Sequence, residues 1–242
     1  MIGLIGAMTE EVSLFKENME LKDSVKFANM QYHIGRLNGQ ELVLLQSGIG
    51  KVNATIGTQI MIDRFAVDCI IFTGLAGSLV ANLDRGDMVI SNYVVQYDFD
   101  LTTFGRRHGE LPDVGRMIEA DPILIKLGCY GFDNVFKYQD NSPRLMVGTI
   151  VSGDRFVSDP RQIEWLQREF GAVAIEMEGA AVDYTCLVNK IPFVIIRTIS
   201  DSAGADAKDE FESYLKEASK NSYSIVSNLL EAISHKTEAS EK

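Results

Sequence analysis

The chain is short of basic residues: 23 Lys and Arg stand against 34 Asp and Glu, a formal charge of −11 over 242 residues. A field of that sign repels polyanions, so nucleic acid and anionic membrane surfaces are excluded as partners. Cysteine is scarce too. Cys69, Cys129 and Cys186 lie far apart with no CxxC pair, and an odd, scattered set builds no disulfide framework, which points to a reducing cytoplasm. His33, His108 and His235 are the only histidines, without an HExxH, GxSxG or EF-hand pattern, which argues against zinc-hydrolase and α/β-hydrolase chemistry. No apolar run approaches the roughly 18 residues of a membrane span. Met1 to Met8 is apolar, but no basic residue precedes it and Glu10 and Glu11 follow at once. It reads as a first strand, not a signal peptide.

What is present is a globular composition, 46% hydrophobic and 24% charged, in a length that suits one domain with a buried core. Short β-rich runs alternate with helical periods, which predicts a single α/β domain over residues 1–234 and a frayed polar tail over 235–242. Strands are expected at Ile2–Gly6, Gln31–Gly35, Glu41–Ser47, Cys69–Thr73, Asp87–Tyr97, Leu145–Ser152, Ala172–Glu176 and Pro192–Ser200. Asn38-Gly39 reads as a two-residue hairpin turn, so the sheet should be mixed. Helices are expected at Thr9–Glu20, Val52–Phe65, Pro122–Gly131, Pro160–Phe170, Met177–Asn189 and Asp209–Ser234, with Thr9, Asp121 and Asp159 as caps.

Two tempting motifs fail. Ser47-Gly48-Ile49-Gly50-Lys51 follows a strand and opens a helix, yet Leu45 and Val52 stand where a phosphate loop needs Gly and Ser or Thr, and Asn53 replaces the third glycine of a dinucleotide fingerprint. Neither ATP nor NAD is supported, and the commoner reading is a tight turn whose backbone approaches a ligand or another chain. Asp98 and Asp100 could share a face and bind a metal, though a solvated loop is the commoner meaning of such a pair. What remains are carboxylates at three strand ends, where open α/β sheets place ligands: Glu10 and Glu11, Glu176 and Glu178, and Ser200-Asp201. Each alone reads as a helix-cap acid; their conjunction points to a site.

At these residues the sequence resembles the 5′-methylthioadenosine/S-adenosylhomocysteine nucleosidase family of the nucleoside phosphorylase superfamily. The matching stretches are Ile2 to Glu11, Ser47 to Val52, Thr73-Gly-Leu-Ala-Gly77, Val151 to Val157, Ala174-Ile-Glu-Met-Glu-Gly179 and Arg197-Thr-Ile-Ser-Asp201. They follow the family's order across most of the chain, and the segment from Asp113 to Arg144 matches least. The resemblance implies a nucleoside phosphorylase-like fold, a central twisted mixed sheet flanked by helices, with no cofactor and no metal. It implies a homodimer that hydrolyses the adenine N-glycosidic bond of a small nucleoside.

By the same resemblance Asp201 would protonate adenine N7 and Glu11 would activate the attacking water. Glu178 would hold the ribose hydroxyls with Met177 against the sugar. Phe156 would stack on the purine while the Val157 backbone reads its edge, and Ser200 and Arg197 would orient Asp201 and the water site. Met8, Ile49 and Phe211 would form the 5′ pocket, closed by Leu101, Phe104 and Pro112 of the partner subunit. Leu75 stands where many members carry a Ser that contacts the water network. The chemistry demands opposite protonation states: Asp201 raised by burial to stay protonated, Glu11 ionised. A phosphorylase would need cationic forks for phosphate, whereas the loop after the first strand offers Glu10 and Glu11. A binding protein without catalysis would not need the acid, and 6-amino-6-deoxyfutalosine is an alternative substrate.

Overall fold

The computed structural model describes residues 1–140, 142–202 and 207–240. Its strands are β1 (Ile2–Gly6), β2 (Glu20–Phe27), β3 (Met30–Leu37), β4 (Gln40–Gln46), β5 (Cys69–Ser78), β6 (Met88–Gln96), β7 (Ile118–Glu119), β8 (Leu145–Ser152), β9 (Ala172–Glu176) and β10 (Phe193–Asp201). Its helices are α1 (Thr9–Asn18), α2 (Lys51–Phe65), α3 (Pro122–Phe136), α4 (Pro160–Phe170), α5 (Gly179–Asn189) and α6 (Ala207–Ser240), with a 3-10 turn at Thr102–Phe104. One mixed sheet runs β10-β6-β8-β9-β5-β1-β4-β3-β2, and because β5 also pairs with β10, the first five of these strands close on themselves. The result is a single-domain α/β fold.

Strand alternation explains the layers. Ile5, Leu45, Ile70 and Phe72 point into a core shared with Ala54 and Met61 of α2 and Val182 and Cys186 of α5. Their neighbours Leu4, Leu44 and Ile71 point the other way, onto Phe15 of α1, Leu127 of α3 and Leu229 of α6. A residue period of two therefore feeds both faces, as a sheet covered by helices on both sides requires. The hairpin at Asn38-Gly39 forms as expected: Leu37 pairs with Gln40, and both turn residues have positive φ, 48° and 78°, as the type I′ geometry demands.

The differences from expectation have physical causes. α1 stops at Asn18, and β2 follows where no strand is expected, since β2 is an edge strand exposed over most of its length and shows no buried alternation. Met8, not Thr9, occupies the cap position of α1; the Thr9 hydroxyl donates to Gln46 instead. α3 passes Gly131 and runs to Phe136 because Gly128 and Gly131 serve close packing and not termination: a Cβ at Gly131 would lie 2.8 Å from the Ile225 carbonyl oxygen on α6. β5 extends through Thr73-Gly-Leu-Ala-Gly to Ser78, and α5 begins at Gly179 and not Met177. The caps Asp121 and Asp159 are as expected, accepting from Ile123, Leu124 and Arg161 N–H groups. α6 continues as helix to Ser240, through residues 235–240 expected to fray, while 241–242 lie outside the described residues.

Replacing Gly131 by Ala should therefore push α3 from α6 and cost about 1–3 kcal/mol, the usual range for overpacking, with kcat/KM unchanged. Chemical denaturation beside a steady-state assay checks both halves.

Candidate active site

The carboxyl ends of β1, β4, β5, β9 and β10 converge on a cavity of about 190 Å³, the edge where open α/β sheets bind ligands. Ala7, Met8, Glu11, Ile49, Leu75, Ala76, Gly77, Arg155, Phe156, Val157, Ile175, Glu176, Met177, Glu178, Ser200, Asp201 and Phe211 line it.

At its base lies Arg197, wholly buried on β10. Its guanidinium stacks 4.1 Å from the centroid of Phe72 and pairs directly with Glu176. Glu178 and Glu11 stand 3.8 and 3.9 Å away. Among the described residues its Nε and Nη1 have no hydrogen-bond partner. Glu176 is fixed in turn by the Ser152 hydroxyl and by the Gly179 N–H, 2.8 Å from Oε2, so the carboxylate that holds Arg197 also caps α5.

Glu11 sits one turn into α1, and its side chain folds back onto the chain that precedes the helix. Oε2 accepts from the Ala7 and Met8 N–H groups at 2.7 and 2.9 Å, and Oε1 from Leu75 N–H at 2.9 Å. Burial pushes this carboxyl above the ordinary carboxylate range, opposed by Arg197 and the three backbone donors. Burial thus makes the carboxyl more basic than a free Glu, while Arg197 and the backbone donors favour its charged form. Gly74 makes the arrangement possible: a Cβ there would fall 2.2 Å from both Arg197 Nη1 and Glu11 Oε1.

Glu178 accepts from the Gly50 N–H at 2.8 Å. Burial and the neighbouring Glu176 push it up to about 8, against the pull of Arg197 and Gly50. The Ser47–Lys51 turn thus brings its backbone to a carboxyl group that lines the cavity. It is tied down by Lys51, whose ammonium lies 2.5 Å from Asp98 and whose N–H donates to Asp154. Asp98 and Asp100 do not converge: Asp100 instead accepts from Thr102 N–H. No group of three or more His, Cys, Asp or Glu among the described residues is placed to hold a metal ion.

Ser200 and Asp201 are consecutive on β10 and in a regular strand would face opposite ways. A register shift between Ile199 and Asp201 against β5 lets both line the cavity, a common use of a bulge beside a functional site. Asp201 is buried, and the Ser200 hydroxyl donates to it at 2.8 Å. Phe156 meets Phe211 edge-on at 6.4 Å.

Of the residues singled out in the sequence, Glu11, Asp201, Met8, Ile49, Phe156, Val157, Met177, Glu178, Ser200 and Phe211 all line the cavity. Arg197 lies behind it. Leu101, Phe104 and Pro112 are not in this chain's own lining. Sequence reasoning missed the role of Glu176, the backbone donors of Ala7, Leu75 and Gly50, and Gly74. A Gly inside an otherwise strand-like run and the doubled acid of Glu176-Met-Glu were the available signals. Leu75 contributes its N–H to Glu11, a contact that needs no side-chain hydroxyl.

The model of the Phosphorylase superfamily matches residues 1–231. A 5′-methylthioadenosine/S-adenosylhomocysteine nucleosidase of Geobacillus sp. (strain WCH70) is 39% identical over 96% of this chain and 98% of its own. Among solved structures, the nucleosidase of that name from Neisseria meningitidis, in complex with methylthio-immucillin-A, superposes with a TM-score of 0.90 at 38% identity, covering 96% of this chain and 98% of that one. Futalosine hydrolase of Helicobacter pylori superposes at 0.89 with 32% identity, over 96% and 97% of the two chains.

Substituting Gly74 by Ala should force Arg197 and Glu11 apart. We expect a fall in kcat/KM of roughly a hundred-fold, the scale of an ångström-size misplacement, measurable beside a lowered Tm.

Proposed function

The chain belongs to the 5′-methylthioadenosine/S-adenosylhomocysteine nucleosidase family, purine nucleosidases of the phosphorylase superfamily, and from that premise we propose how its cavity cleaves the bond between adenine and ribose. The observation that carries the reading is the charge balance: Glu11, Glu176 and Glu178 surround the single guanidinium of Arg197. Such a site favours the positive charge that develops on a ribosyl ring in an oxocarbenium-like transition state. It disfavours phosphate, which needs free cationic forks, because Arg197 is buried and already paired. Water is then the nucleophile.

The water would be held by Glu11, which lines the cavity, with Arg197 Nη1 standing 3.9 Å behind that carboxylate. Glu11 takes its proton as the oxygen bonds to C1′. The C1′–N9 bond breaks, its electron pair passes into the purine, and Asp201, entering protonated, gives its proton to N7. The products are adenine and a ribose that keeps its 5′-thioether substituent and carries the water's hydroxyl at C1′. Glu178 holds the ribose hydroxyls beside Met177, Ser200 orients Asp201, Phe156 stacks on the purine, and the backbone of Val157 reads its edge.

The partner is a second copy of the chain. Ile49 lines the cavity yet is 54% exposed, and it continues into Val52 and Ile56 of α2 and Leu187 and Val188 of α5, an apolar face open to solvent. Large exposed patches of this kind mark interfaces. Phe104, 80% exposed, with Leu101 and Pro112, would close the partner's 5′ pocket around Met8, Ile49 and Phe211. The three free cysteines suit a cytoplasmic enzyme. A second reading, action on 6-amino-6-deoxyfutalosine, draws support from the likeness to the Helicobacter pylori futalosine hydrolase.

Free adenine should appear from methylthioadenosine in phosphate-free buffer, with no ribose 1-phosphate when phosphate is added; release only with phosphate would overturn the hydrolytic reading. The same assay on S-adenosylhomocysteine and 6-amino-6-deoxyfutalosine ranks the substrates. Asp201→Asn and Glu11→Gln should each lower kcat by about 10²–10⁴-fold, the worth of a positioned acid or base, while adenine still binds. Near-normal turnover would move the roles elsewhere.

The shared pocket has its own test. Sedimentation should give a dimer, and Phe104→Ala should raise KM for methylthioadenosine. Co-expressed with Glu11→Gln chains, Phe104→Ala chains should regain sites of ordinary KM, each built from one intact half. No recovery in isolated heterodimers would mean that Phe104 acts within its own chain.

A further inference from the structure

Beneath the ion cluster, α5 carries a carboxyl that the reaction does not use. Asp183 is wholly buried, and neither of its oxygens has a hydrogen-bond partner. An ionised carboxylate there would lose its hydration with nothing in exchange. Burial, reinforced by the charge of Glu176, holds Asp183 well above the ordinary carboxylate range.

No neighbouring element brings it a counter-charge. Glu176 of β9 is negative, and Cys186 on α5 is itself pushed up by burial, by Asp183 and by Cys69 of β5. β6 and β8 carry no charged residue. Glu119 of β7 faces solvent. β10 offers Arg197, engaged by Glu176, and Asp201, at the cavity. α2 turns Ala54, Gly57, Thr58 and Met61 inward, while its charged groups are spent on Lys51 with Asp98, Asp63 with Gln59 and Arg64 over Phe27.

The position of Asp183 gives its proton a consequence. It lies just over one turn beyond Glu178, in the helix whose first N–H groups Glu176 caps and whose cap residue, Glu178, reaches across to Gly50. We infer that Asp183 is a pH-sensitive latch: neutral, it lets α5 stay seated beneath the Glu176–Arg197 pair, and on losing its proton it unseats the first turn of α5 and breaks the Glu178–Gly50 contact. Deprotonation sets a second buried negative charge against Glu176, the carboxylate that holds both Arg197 and the first N–H of α5. The ribose end of the cavity loosens first. The activity arm of the test rests on the assignment of Glu178 to ribose, and the stability arm does not.

Asp183→Asn keeps the shape and removes the charge. Above an unfolded pKa of about 3.9 the unfolded chain gives up a proton that the folded chain keeps, so the parent loses stability as pH rises until Asp183 itself ionises. The Tm of the variant should therefore match the parent near about pH 4, and the gap should widen by about 3–5 °C per pH unit. Asp183→Leu should show the same slope from a different intercept. Near about pH 7 the kcat and KM of Asp183→Asn equal the parent's; on the alkaline side the KM of the parent climbs at least several-fold before that of the variant. A gap that stays constant with pH in both variants, or a KM that climbs identically in parent and variants, overturns the latch. Absence of nucleosidase activity in the parent would overturn the functional reading and leave the stability comparison intact.

Discussion

Arg197 is a full positive charge in the middle of the protein, with no side-chain exposure, and the rest of the site is arranged around making that tolerable. An unpaired buried ion costs several kcal/mol even after relaxation. Here the cost is met by stacking on Phe72, by the direct pair with Glu176 and by the nearby carboxyl groups of Glu11 and Glu178. Those groups come from β5, from β9, from α1 and from the cap of α5. One cation therefore stitches together elements that are far apart in sequence, and the chain must cross β5 at a glycine for the cluster to close. Fold specificity and chemistry draw on the same atoms.

The cluster is deliberately unbalanced. A structural ion pair needs one carboxylate; this one has three within 4 Å, and the surplus faces the cavity. Burial and the repulsion of Glu176 push Glu178 up to about 8, and burial lifts Glu11 as well. Carboxylates that are costly to keep charged gain most when a positive centre appears beside them, which is the moment a ribosyl C–N bond breaks. The same surplus makes the pocket hostile to phosphate. Hydrolysis rather than phosphorolysis accords with the electrostatics of a site whose one guanidinium is already engaged by a carboxylate.

Much of this was legible in the sequence, and for identifiable reasons. Core strands such as Cys69–Thr73 and Pro192–Ser200 announce themselves by the apolar runs Cys69–Phe72 and Phe193–Ile196, and Asp201 at the end of the second stands out against its run. Thr9, by contrast, looked like a cap and is not one, because the helix already includes it: Met8 holds the cap position and the Thr9 hydroxyl turns to Gln46. β2 stayed hidden because an exposed edge strand has no buried face to imprint a pattern. Glu176 was visible but unassigned: nothing local distinguishes a carboxylate that faces a ligand from one that faces an arginine 21 residues away. Backbone donors such as Leu75 and Gly50 carry no residue-type signal at all.

The division of labour within the cavity has a further consequence. Glu11, Glu178 and Asp201 are fixed at strand ends or by hydrogen bonds, so the positions of these carboxyl groups are set by the sheet and the turns at its edge. The apolar side, Met8, Ile49, Phe156 and Phe211, makes mainly van der Waals contact, with Phe156 and Ile49 about half exposed. A hydrophobic pocket discriminates by only about 1–3 kcal/mol for one methylene more or less. A single chemical apparatus can then serve nucleosides with different 5′ groups by repacking one wall. That solved structures of the same fold and nearly the same TM-score carry names as different as methylthioadenosine nucleosidase and futalosine hydrolase is what this separation of rigid chemistry from adaptable cover would produce.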